Sequence, residues 1–190
     1  MDDQVLAALQ KWPNVPACVG WLALDARGDW YMRDERIQHA GPFPAVKGSR
    51  IEHPMLRSFI ERNYARAPSG DWYFQNGPQR VYVELEAAPW VWRLTRREDA
   101  APAAAPDVRT HTGLVADVRS AWLDDRDRLF LDTDHGFGLV HTQDVELAAD
   151  AIEAGLWTLG HLAFAEMPAR FGYRTSPQAE GVDTRPGANG

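Results

Sequence analysis

Short period-two runs, broken by turn residues, constrain this chain most. From Arg80 to Leu85, Val81, Val83 and Leu85 alternate with Arg80, Tyr82 and Glu84. Successive strand side chains point to opposite faces, so the run fits a sheet rather than a helix. Asp71 to Gln75 and Trp90 to Arg96 read as its neighbours. Turns at Asn76-Gly77-Pro78 and Glu86-Ala87-Ala88-Pro89 join the three into a meander. Upstream, Val19 to Leu24 and Asp29 to Arg33 form a hairpin about Asp25-Ala26-Arg27-Gly28. Downstream, His111 to Arg119, Ala121 to Leu123, Arg128 to Leu131 and Phe137 to His141 read as strands. Leu156 to Phe164 fits a strand or a helix.

Three helices interrupt this pattern. Asp3 to Lys11 carries Val5, Leu6 and Leu9 on one stripe, and Pro13 stops it. Pro54 suits the first position of a second helix, where its missing N–H costs nothing; Met55, Leu56, Phe59 and Ile60 keep the helical rhythm. Thr142 can cap a third, Gln143 to Ala154, with Asp144 in its first turn and Gly155 past its end. The class is therefore α+β, with two small β-rich lobes, each with a packed helix.

Asp99 to Asp107 reads Asp-Ala-Ala-Pro-Ala-Ala-Ala-Pro-Asp and has nothing large to bury. It divides an N-terminal lobe, 1–98, from a C-terminal lobe, 107–173, with 99–106 as the linker. Residues 174–190 hold little apolar content and read as a mobile tail.

Charge and cysteine narrow the function classes. The net charge is −7, with residues 1–98 slightly basic and the acidic excess in 99–190, which argues against a nucleic-acid polymer as partner. No apolar stretch approaches the roughly 18 residues of a membrane span, and the start, Met-Asp-Asp-Gln, is acidic. No membrane partner and cytoplasmic residence are the expectations. Cys18 is the sole cysteine, so neither an intramolecular disulfide nor a thiolate zinc cluster can form. Its run, Ala17-Cys18-Val19, suits a buried, inert thiol.

Reaction signatures are missing. There is no Gly-x-Ser-x-Gly elbow and no phosphate-binding loop; Gly136-Phe137-Gly138 lacks a third glycine and precedes a strand. With Asp132 and Asp134 placed as calcium ligands, Phe137 and Gln143 stand where a calcium loop needs Gly and Glu. His135 and His141 have no Glu or Cys at ligand spacing. No catalytic residue, metal or cofactor is assigned, and the chain reads as a non-enzyme. Eight tryptophans stand out. Trp90 and Trp92 would project from one strand face, either into a core or against a planar ligand.

Some of these motifs resemble a known family. Gly28-Asp29-Trp30-Tyr31 recurs as Gly70-Asp71-Trp72-Tyr73, each time as a turn feeding a strand. With Ile51, the Pro54 helix, Pro78-Gln79-Arg80-Val81-Tyr82-Val83-Glu84 and Glu86-Ala87-Ala88-Pro89-Trp90, the run resembles the proteobacterial domain-of-unknown-function family twelve-eighty-five, or a distant sister family of it. The likeness covers about 20–155. Gln38 to Ser49 reads as an insertion, and the 86–90 turn lacks the family's usual second acid. The resemblance implies a duplicated core, a C-terminal lobe superficially like a pleckstrin-homology fold, and a site for a nucleotide-like or signalling molecule where the lobes meet.

The functional expectation is a non-enzymatic sensing or regulatory module for a small, nucleotide-like ligand, with its site at the lobe interface. His53, Arg57, Arg80, Trp90, Trp92, His111, His135 and His141 are its candidate ligand-binding residues, tryptophan stacking and arginine pairing an anion. One alternative is a protein–protein interaction module using an exposed sheet edge or the mobile tail; another is a hydrolase using Asp and His of the 132–141 hairpin. An unidentified small molecule or a second copy of the chain are the partners left open.

Overall fold

The computed structural model describes residues 1–96, 104–182 and 184; most of the expected linker and the end of the tail lie outside these. The chain makes two units. One holds residues 1–25, 29–86 and the C-terminal segment from Tyr173; the other holds 26–28 and 87–172.

The first unit starts with α1 (Asp3–Lys11), whose Val5 is buried. It continues with β1 (Cys18–Leu24), β2 (Trp30–Met32), α2 (Glu35–Ala40), β3 (Ser49–Arg50), α3 (Pro54–Arg62), β4 (Tyr64–Arg66), β5 (Trp72–Asn76) and β6 (Gln79–Leu85). The six strands form one sheet in the order β3-β2-β1-β6-β5-β4. Only the central β1–β6 pairing is parallel. Val81 to Leu85 are all buried, Tyr82 and Glu84 on the alternate face included. A central strand with both faces covered explains this. Trp30, Tyr64 and Trp72 form an aromatic core, with Tyr64 against both indoles at 5.2 and 4.8 Å.

Within the expected insertion, α2 forms because Asp34 accepts a hydrogen bond from the Ile37 N–H as its cap. Pro54 occupies the first turn of α3 as its sequence predicts. Asp2 pairs with Arg62 at 3.1 Å, and its N–H donates to Asn63 Oδ1, tying the start of α1 to the end of α3.

The second unit contains β7 (Trp90–Thr95), β8 (Asp107–Thr110), β9 (Val115–Ala116), β10 (Val118–Leu123), β11 (Leu129–Thr133), β12 (Gly136–Val140), α4 (Val145–Glu153), β13 (Leu159–His161) and α5 (Met167–Phe171). Its seven-stranded sheet runs β13-β10-β11-β12-β7-β8-β9. Phe171 of α5 stacks on Phe137 of this sheet, and Phe137 on Phe130, with ring centroids at 3.7 and 5.3 Å.

Three local expectations differ here. The strand Trp90–Thr95 pairs with β8 and β12, so the chain changes unit after Glu86 rather than at residue 98. The expected strand from His111 is split by a turn, in which Gly113 has φ 93° and Thr110 Oγ1 accepts from the Leu114 N–H. The third helix begins as a single 3-10 turn at Thr142–Asp144, capped by the His141 imidazole rather than by Thr142.

The C-terminal segment, expected to be mobile, returns to the first unit. It carries α6 (Pro177–Glu180), capped by Ser176. The Leu85 N–H donates to Thr175 O, and Glu84 accepts from Ser176 Oγ and from the Gln178 N–H. Glu84 is buried and stands within electrostatic range of the buried Arg33. A buried carboxylate needs donors, and the segment supplies two of them.

Candidate functional site

A break in β1 shapes the principal cavity. β1 and β6 pair at Cys18↔Val81 and again at Leu22↔Val83, so β1 carries two extra residues between those points. Gly20 takes φ 78° within this bulge. A side chain there would also meet Gln38 Oε1 and the Gln178 amide, at 2.6 and 2.9 Å from the added carbon. Bulges re-aim neighbouring side chains. Here consecutive residues, Trp21 and Leu22, both border one groove.

The groove lies in the first unit and has a volume of about 520 Å³. Its floor is Cys18, Leu22, Phe74 and Val81 from the sheet, with Ile51 beside β3. Leu56, Phe59 and Ile60 of α3 form one wall, and Trp21 and Met32 form the rim. The amides of Asn76 and Gln79 supply the polar groups; no charged residue lines it. Trp21, Met32 and Leu56 stay exposed at 41, 49 and 37 %. Large apolar groups left open together mark a binding surface more often than isolated exposure does. Burial pushes the Cys18 thiol up, so the thiol stays protonated and apolar in character.

The eight residues singled out from sequence fall into separate places. His53 stands at the N-cap of α3, its side chain making no capping bond, and Arg57 follows on the same helix. Arg80 lies on the other face of β6 from Val81, with its guanidinium 4.7 Å from the Tyr73 ring centre. The other five are in the second unit. Trp90 is 6.5 Å from Trp92 and 5.7 Å from the His111 ring, and its indole N–H donates to His135 O. The Trp92 indole donates to Leu131 O. His111 Nδ1 accepts from the Val91 N–H, and His135 Nε2 meets Val115 O at 2.9 Å. His141 caps the 3-10 turn. Both indoles are buried and bonded to backbone, and these three imidazoles hold turns or strands in place.

In the 132–141 hairpin, Asp134 Oδ2 lies 3.8 Å from His135 Nε2, while Asp134 Oδ1 accepts from the Asp117 N–H. That hydrogen bond is the first cause holding the Asp134 carboxyl below its ordinary range. Among the described residues, no group of three or more His, Cys, Asp or Glu side chains is placed to hold a metal ion. Among the same residues no helix is long and apolar enough to cross a membrane.

The groove residues escaped sequence reasoning, apart from the apolar stripe of α3. Leu56, Phe59 and Ile60 were legible as that stripe, but what they faced was set by a bulge and by non-local pairing.

The family model DUF2944, described as "Protein of unknown function (DUF2946)", matches residues 1–178. The chain belongs to that family. The motifs resemble family twelve-eighty-five or a distant sister family of it, and two similar solved structures carry the DUF1285 name. One is a DUF1285 family protein from Shewanella baltica OS155, 19% identical, covering 72% of this chain and 98% of its own, with a TM-score of 0.42. The second is a DUF1285 family protein from Silicibacter pomeroyi DSS-3, 13% identical, covering 79% and 85%, with a TM-score of 0.46. No curated protein matches the sequence.

Proposed function

We propose that the protein is a non-enzymatic ligand-sensing or regulatory module that holds a small, neutral, largely apolar molecule in the groove beside Cys18. One observation supports this above the others: a cavity of about 520 Å³ with an apolar and aromatic lining, two amides and no charge. Small-molecule sites span roughly 300–1,000 Å³ and combine apolar walls with a few polar groups. A nucleotide-like ligand would need cations against its phosphates, and the groove's lining offers none. The ligand proposed is therefore neutral, its apolar body under Leu56 and Phe59 and one hydrogen-bonding group near Asn76 and Gln79.

Thermal shift tests this. A panel of neutral aromatic and aliphatic molecules, N-phenyl-1-naphthylamine and indole among them, is run against nucleoside mono- and diphosphates. A fitting neutral ligand at a hundredfold excess over its Kd raises Tm by about 5–10 °C for a chain of this size. Stabilisation by nucleotides alone, or by no member of either set, counts against the reading.

A further inference from the structure

The second unit offers an interaction surface that does not depend on the groove beside Cys18. β13 is an outer strand of the seven-stranded sheet, paired on one side only, in parallel with β10. The Ala121 N–H donates to Thr158 O, and the Leu162 N–H donates to Leu123 O. Backbone groups alternate sides along a strand, so those of Leu159 and His161 face away from β10. Both residues are exposed. The opposite edge is different: at β9, the Val115 carbonyl is already met by His135 Nε2 at 2.9 Å.

Beside this open edge lies a second groove, of about 300 Å³. Val145, Ala149 and Ile152 of α4 form one side, and Leu159 of β13 the other. Val145 and Leu159 are 38 and 39 % exposed. Two carboxylates, Asp127 and Glu153, border it; both are exposed, and neither is in an ion pair among the described residues. No basic residue lines it.

We propose that the outer edge of β13 and this groove dock an extended peptide segment with apolar residues flanked by basic ones. The segment adds as a strand beside β13. Its main chain bonds the outward groups of Leu159 and His161, alternate apolar side chains enter the groove beside α4, and its cations meet Asp127 and Glu153. Strand addition takes its affinity from main-chain bonds and its selectivity from pockets for alternate side chains. The charge requirement excludes acidic segments.

The test is fluorescence anisotropy on the full chain with a labelled peptide of sequence Lys-Val-Thr-Leu-Thr-Val-Lys. Saturable binding that weakens with added salt is expected. Methylating the peptide's ladder-forming amides, or His161→Pro in the protein, removes main-chain bonds and lowers affinity about tenfold. His161 donates nothing to β10, so its proline variant keeps the sheet, and the methylated peptide gives the same reading without altering the protein. Asp127→Asn with Glu153→Gln lowers affinity about three- to tenfold and flattens the salt dependence. The proposal is overturned if no binding is seen up to about 1 mM. It is equally overturned if the methylated peptide binds as well as the parent, or if a peptide with Glu in place of Lys binds as tightly.

Discussion

Ser176 Oγ donates to Glu84 Oε2 at 2.5 Å, joining residues 92 positions apart in sequence. The same serine caps α6 by accepting from the Ala179 N–H, and Gln178 N–H donates to the other Glu84 oxygen at 3.0 Å. The C-terminal segment is thereby fastened over a buried carboxylate on the central strand of its sheet.

Ser176→Ala removes both a cap and a donor to that carboxylate. A buried acceptor left short of a partner costs about 1–3 kcal/mol. Urea denaturation should show a loss in that range, together with faster amide exchange in 174–180. A loss under about 0.5 kcal/mol, the range of a neutral surface change, would contradict the fastening.

Glu84 also sets a pH dependence. Burial pushes its carboxyl up, against the opposing pull of Ser176, Gln178 and Arg33. The folded protein then keeps a proton that the unfolded chain gives up. Stability must fall as pH rises from the ordinary carboxylate range through the raised value of Glu84, and level off above it. Glu84→Gln lacks this slope. The stability of the variant relative to the parent should therefore climb as pH rises from the ordinary carboxylate range through the raised value of Glu84. A difference that stays flat or declines with pH would refute this.

Gly138 tests the packing of the second unit. A side-chain carbon there would lie 2.5 Å from Trp92 Nε1 and 2.7 Å from Trp90 O. Trp92 is fully buried and its indole is bonded to Leu131 O, so neither neighbour can give way cheaply. Gly138→Ala should cost about 1–3 kcal/mol by overpacking, read from chemical denaturation. Gly155→Ala is the contrast: it meets no atom within 4 Å and leaves only the strain of its φ of 71°.

Much of this fold can be read from residue order alone. Pro54 and the stripe Leu56, Phe59, Ile60 specify α3, and the Asp25–Gly28 turn specifies the β1–β2 hairpin. What alternation cannot state is which sheet a strand joins. Trp90–Thr95 carries a strand pattern compatible with either unit, and its pairing with β12 and β8 is decided by contacts far along the chain. The tail looked mobile because its composition is polar, yet polarity is what Glu84 requires of it. The groove was hidden for a related reason. The bulge at Gly20 puts Trp21 and Leu22 on its border together, against the strict alternation that a regular strand predicts. The bulk of Trp90 and Trp92 suits either a stacking platform or a core, and their indoles are bonded to the backbone of their own unit.

Direct titration of the groove decides most about the proposed activity. N-phenyl-1-naphthylamine is neutral, apolar, of a size that fits, and bright only out of water. Its fluorescence should rise saturably with the parent protein. Leu56→Arg puts a charge at the groove wall from a position exposed enough to tolerate it, and should weaken binding at least about tenfold. Arg80→Ala, on the opposite face of β6, should leave it unchanged. Equal binding by the parent and the Leu56 variant, or no saturable binding by the parent, would contradict the assignment of this groove as the ligand site.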